Sequence, residues 1–142
     1  MTASETSTTT TPEATAPRSA LFNALLGLTT LAILLQGLWA GIFLEHDGKR
    51  DAASGWINIH AAGANVAVVL ALAATIVAAL RLRPRKDLIR GSTALTVLLI
   101  IETGLGQVVN SGTDALTAVH VPLAMAIIAT AVGLSVRARN HS

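Results

Sequence analysis

Trp56-Ile-Asn-Ile-His60-Ala-Ala-Gly-Ala-Asn-Val-Ala-Val-Val-Leu-Ala-Leu-Ala-Ala-Thr-Ile-Val-Ala-Ala-Leu80, followed at once by Arg81-Leu-Arg-Pro-Arg-Lys86, is the passage that decides the fold. From Trp56 to Leu80 the only ionisable side chain is His60. At about 1.5 Å of rise per residue, such a run is long enough to cross a hydrocarbon core of about 30 Å. Pro84 and the surrounding cations then stop the helix. Upstream, Glu45 to Gly55 is a charged, glycine-containing stretch that reads as an aqueous loop, and Ala20 to Leu44 is a second apolar block. A cleaved leader has a shorter apolar core of about 7–15 residues, so this block is expected to stay as a helix. Downstream, Asp87 is placed to cap a third block that runs to Val109. Asn110 to Asp114 has turn composition, and Asp114 is placed to cap a fourth block that ends before Arg137 and Arg139.

The expected architecture is therefore all-α: an integral membrane four-helix bundle with spans near 20–44, 56–80, 88–109 and 115–136, inside a transmembrane domain of 19–139. Residues 1–18 are dominated by Thr, Ser, Ala, Glu and Pro and predict a disordered tail. Composition agrees. Hydrophobic residues make up 52% of the chain and charged ones 13%, against about 25% charged in a soluble domain, so there are too few charges to cover a water-facing surface. The net charge of +2 sits mostly in one turn and at one end, a pattern of topology and not of nucleic-acid binding. The absence of cysteine excludes disulfides, thiolate metal sites and cysteine nucleophiles.

Orientation follows from the cations. Arg81, Arg83, Arg85, Lys86 and Arg90 lie between the second and third blocks, and Arg137 and Arg139 follow the fourth. The turn between the third and fourth has none, and the loop after the first has only Lys49 and Arg50. The positive-inside rule predicts a multi-pass protein of the cell membrane with both termini cytoplasmic.

The chain also reads as one helical hairpin used twice. Leu35-Gln36-Gly37-Leu38-Trp39-Ala40-Gly41 with His60 and Ala64 is echoed by Ile101-Glu102-Thr103-Gly104-Leu105-Gly106-Gln107 with His120 and Ala124. Gln36 then matches Glu102, and His60 matches His120. Both histidines lie one to two turns from the outer end of helices that run in the same direction. Ionisable groups inside a membrane are costly and face the bundle interior. Two imidazoles at matched depth across a four-helix core suit axial ligation of one haem iron. Gly63, Ala64, Ala67, Ala71, Ala124 and Ala131 lie near the histidine faces, and Gly37, Gly41, Gly104 and Gly106 thin the neighbouring helices. Such small residues leave room for a flat cofactor, although they equally let bare helices pack closely.

Glu102 and Gln36 are expected to face inward about two turns below the outer surface. Glu102 is the only carboxylate in a membrane block, and without a cation beside it the neutral acid is favoured. It is a candidate second-shell partner for a histidine, a proton relay, or a contact for a quinol or a haem edge. Glu45 in the outer loop is a weaker catalytic candidate. His46 is a candidate for a separate metal site, and His141 is expected to be solvated. Pro122 lies close to His120 and is placed to bend the fourth helix.

The run Glu102-Thr-Gly-Leu-Gly-Gln-Val-Val-Asn-Ser-Gly112, with His120 and Ala124 after it, resembles half of a haem A synthase. The resemblance covers about residues 20–137 and implies one four-helix bundle where that family has two. It implies paired histidines on the second and fourth helices near the outer face, positions matched by His60 and His120. The chain departs from the family in three places: Ala61 follows His60 where an arginine is common, the outer-loop cysteines are missing, and Glu45 is the only counterpart of the loop carboxylate.

The expected function is a membrane haem b-binding protein with bis-histidine ligation by His60 and His120, transferring electrons near the outer face. Gln36, Gly63, Ala64, Glu102 and Ala124 complete the expected cofactor site. The alternatives are a haem A synthase-like, haem-modifying enzyme acting as an oligomer, and a cofactor-free membrane subunit or interaction protein. The implied partners are the lipid bilayer, a quinol or redox protein, and a second copy of the chain.

Overall fold

A computed structural model describes residues 17–45, 50–110 and 116–140. These form four helices: α1 (Pro17–Glu45), α2 (Arg50–Arg81), α3 (Lys86–Asn110) and α4 (Thr117–Arg139). All four are long and apolar enough to cross a membrane, over Ala20–Ile42, Ser54–Arg81, Lys86–Val109 and Thr117–Arg139. The fold is an all-α four-helix bundle. Helices pack around a ring, α1 on α2, α2 on α3, α3 on α4 and α4 on α1. The diagonal pairs, α1 with α3 and α2 with α4, make no close backbone approach among the described residues.

The helices sort their residues by size. Large side chains such as Leu28, Leu31, Val66, Val69, Ile76, Ile100, Met125 and Val132 point outward. Much of the interior is small: Ala67, Ala71, Ala74 and Ala78 of α2 are buried, as are Ala131 and Ala138 of α4. Lipid tails are as apolar as leucine, so hydrophobicity does not decide which face turns inward, and close van der Waals packing does. Phe22, Leu26 and Ile33 of α1, Leu88, Leu95 and Leu99 of α3, and Ile127 and Leu134 of α4 fill the space the alanines leave. Gly91 admits Leu134, whose Cδ1 would lie 2.7 Å from a β-carbon at that position.

Each interior stripe follows alternating steps of four and three, the spacing that keeps one face on the partner in a left-handed bundle. In α1 it is Phe22, Leu26, Thr29, Ile33, Gln36, Ala40, and in α3 it is Leu88, Ser92, Leu95, Leu99, Glu102, Gly106. In α2 it is His60, Ala64, Ala67, Ala71, Ala74, Ala78, and in α4 it is His120, Ala124, Ile127, Ala131, Leu134, Ala138. The buried core occupies only the half nearer the α2–α3 turn. Its hydroxyls are satisfied locally: Thr29 donates to the Leu25 carbonyl at 2.8 Å and Ser92 to that of Ile89 at 3.1 Å. The Thr75 and Thr96 hydroxyls meet at 3.0 Å, a side-chain link between α2 and α3.

The structure corrects four sequence expectations. α1 begins at Pro17, so Pro17 and Arg18 belong to the helix and not to the expected tail of 1–18. The stretch 50–55 continues α2 as helix and does not belong to the loop, because a hydrogen-bonded helix can project its polar first turns beyond the apolar span, which begins at Ser54. Asp87 lies within the first turn of α3, and its carboxylate accepts from Arg85 Nε at 3.1 Å and Nη2 at 2.9 Å. The N-cap position of α4 is taken by Leu116, without a side-chain cap, while Asp114 falls outside the described residues.

Candidate functional site

Above the packed half, the four interior stripes turn polar together: Gln36 on α1, His60 on α2, Glu102 on α3 and His120 on α4. All four are partly buried. Each histidine is engaged by the preceding helix of its own hairpin. His60 Nδ1 lies 3.2 Å from the backbone carbonyl of Gln36. His120 Nδ1 lies 3.0 Å from Glu102 Oε1, in side chains that are 22% and 12% exposed.

The Gln36 side chain does a second job. With its amide nitrogen toward α2, it donates to the His60 carbonyl at 2.7 Å, and its oxygen accepts from the Ala64 N–H at 3.3 Å. It thus bridges two groups one turn apart on α2. That amide nitrogen also lies 3.1 Å from His60 Nδ1. Two tautomers therefore compete at His60. A proton on Nδ1 is donated to the Gln36 carbonyl, whereas a lone pair on Nδ1 accepts from the amide.

The α3–α4 pair is less settled. Glu102 Oε1 and Oε2 and His120 Nδ1 are buried and make no aligned hydrogen bond among the described residues, despite the close approach of Oε1 to Nδ1. A buried polar atom in that condition costs about 1–3 kcal/mol. The neighbouring Thr103 hydroxyl does not relieve it, because it donates to the Leu99 carbonyl at 2.8 Å. The His120 ring rests on Gly106, where a β-carbon would come within 3.2 Å of Cε1.

The remaining predicted residues divide clearly. Ala64 and Ala124 follow the histidines on the interior stripes and are partly buried. Gly63 faces α1, where Trp39 and the Gln36 amide occupy the place of a side chain, so it seats Trp39 against α2. Gly37, Gly41 and Gly104 do not line the interior as expected. They are exposed and have open space around them, because they fall off the stripes that Gln36 and Glu102 occupy. Glu45 ends α1 in an exposed position, and His46 and His141 lie outside the described residues. Among the described residues no three of His, Asp and Glu gather as a metal cluster, so the donor set consists of two imidazoles with an oxygen behind each.

Trp39 has no site role in the sequence reading, although it follows Gln36 by one helical turn. Of Gly37, Gly41, Gly104 and Gly106, only Gly106 continues an interior stripe, four residues after Glu102. Compared with known proteins, the chain matches no family model, no curated protein and no solved structure.

Proposed function

We propose that this chain is a membrane haem b protein in which His60 and His120 are the axial ligands, carrying electrons near the outer face. One observation carries the reading. Two imidazoles on diagonal helices each keep Nδ1 against an oxygen, the Gln36 carbonyl for His60 and the Glu102 carboxylate for His120. A metal-ligating histidine typically gives its other ring N–H to a carbonyl or carboxylate, which fixes the tautomer and leaves Nε2 with its lone pair for the metal. Of the two tautomers open to His60, this reading selects the one that donates to the Gln36 carbonyl.

The donor chemistry suits haem better than a bare ion. Two axial imidazoles suffice when a porphyrin supplies the other four ligands, whereas zinc held by protein alone wants three or four. A haem held there supplies one-electron iron chemistry. The chain's own residues do the rest. The Gln36 carbonyl holds the His60 ring, the Glu102 carboxylate stands beside the His120 ring, and Ala64 and Ala124 keep the stripes small beside them.

The parallel between the Gln36–His60 and Glu102–His120 pairs supports the two hairpins as copies of one unit, in the manner of one bundle of a haem A synthase. Electron transfer is preferred to haem modification because Glu45, the counterpart of that family's loop carboxylate, is exposed at the end of a helix. We place both termini in the cytoplasm, where the positive-inside rule puts the arginines of the α2–α3 turn. The reduced-minus-oxidised spectrum of protein purified from haem-replete cells tests the reading. A sharp Soret band is expected, abolished or strongly weakened by His60→Ala and by His120→Ala. Wild-type protein without such a band would overturn both haem readings and leave a cofactor-free membrane subunit.

A further inference from the structure

The end of the bundle opposite the histidines has a charge problem that the fold creates. Arg85 donates to both oxygens of Asp87 and, through Nη2, to the Arg137 carbonyl at 3.3 Å, so the α2–α3 turn is drawn onto the end of α4. This contact spends Asp87, the only carboxylate at this end among the described residues. It also gathers Arg81, Arg83, Lys86 and Arg90 with Arg137 and Arg139. Cations concentrated at a membrane surface favour an anionic counter-surface.

A second, independent feature adjoins one of those cations. A shallow, largely open trough lies on the outer face of α3, lined by Ile89, Arg90, Thr93, Ala94, Val97 and Leu98. Thr93 and Ala94 are small, and both are exposed. Arg90 is the trough's only charged residue and stands at the end nearer the α2–α3 turn. Cation first and apolar trough next, moving into the membrane, is the order in which a phospholipid presents its phosphate and its acyl chain.

We propose that α3 binds an acidic phospholipid of the leaflet at the basic end, with its phosphate on Arg90 and one acyl chain along Thr93, Ala94 and Val97. Selectivity comes from the headgroup, because any lipid tail fills the trough equally well. This site is independent of the haem reading. The test is native mass spectrometry of the full chain released from zwitterionic micelles that hold equal amounts of dioleoyl-phosphatidylglycerol and dioleoyl-phosphatidylcholine. Wild-type protein is expected to retain the phosphatidylglycerol preferentially. Arg90→Ala lowers that preference about fivefold, the equivalent of one cation at about 1 kcal/mol. Ala94→Leu fills the trough and lowers total lipid retention. Arg139→Ala, with the same loss of charge but away from the trough, changes the preference less than twofold. Both α3 substitutions are at exposed positions, and unchanged helix content by circular dichroism verifies the fold. Equal retention of the two lipids, wild-type behaviour of both α3 variants, or an Arg139→Ala loss equal to that of Arg90→Ala would each overturn the proposal. Displacement of the lipid by millimolar inorganic phosphate would also overturn it, by identifying a phosphate site and not a lipid site.

Discussion

Phe22, Leu26, Ala67, Ala71, Leu95 and Ala131 are at most 1% exposed, in the half of the bundle nearer the α2–α3 turn. In the other half the same interior stripes carry Gln36, His60, Glu102 and His120, and among the described residues no side chain there is fully buried. The helix register does not change between the halves, but the chemistry does. Alanines facing leucines and a phenylalanine close to contact, each contact adding a small dispersion term. Polar groups close only if each meets a partner in the right direction, and Glu102 and His120 do not meet that demand. The first half holds the helices together and the second is held ready by it. The proposed haem site lies in the second half, where Trp39 packs on Gly63 and the His120 ring on Gly106.

The largest effect expected from this contrast is on stability. Phe22→Ala should cost about 3–5 kcal/mol, read from unfolding of the purified protein in mixed micelles by circular dichroism. His60→Ala in cofactor-free protein should cost well under half as much, and equal losses would remove the distinction between the halves. Next in size is the response to haem. At a hundredfold excess over its dissociation constant, a ligand adds about 2.7 kcal/mol. Amide exchange should then slow around His60 and His120 and stay unchanged around Ala74. Protection that spreads evenly over both halves would mean that haem is not localised where the imidazoles are.

Two glycines sharpen the picture within the outer half. Gly63→Ala drives a β-carbon into Trp39 and the Gln36 amide, so a loss of about 1–3 kcal/mol is expected, together with a change in tryptophan emission as Trp39 shifts. Gly37→Ala meets nothing and should stabilise α1 by up to about 1 kcal/mol through helix propensity. If the two variants behave alike, the packing of Trp39 on Gly63 is wrong. The smallest effect belongs to Arg85→Ala. Its pair with Asp87 is exposed, and such pairs contribute little, so the unfolding midpoint should not move measurably, with or without added salt.

Much of this site could be read in advance, and the residues show why. His60 and His120 stand out because an ionisable group is rare in an apolar block. Gln36 and Glu102 stand out through their matching positions before those histidines. The glycines were misjudged for the opposite reason: Gly37, Gly41 and Gly104 look like the wall of a cavity, yet they lie beside the interior stripe and not on it. Trp39 appears in the sequence only as part of the repeated motif, and its contact with Gly63 is what brings it beside the Gln36 amide.

From the amino-acid order alone came the number of spans, their approximate ends, the clustering of cations and the matched positions of Gln36 with Glu102 and of His60 with His120. All of these depend on local run length, charge or spacing. Tertiary structure decided which helices are neighbours and which are diagonal, which face of each helix turns inward, and how far α2 extends before the apolar span. In a helix that is apolar on every side, lipid and core attract the same side chains. Orientation is then settled by how small and large residues interlock across the bundle, a property of four helices together that no single stretch contains.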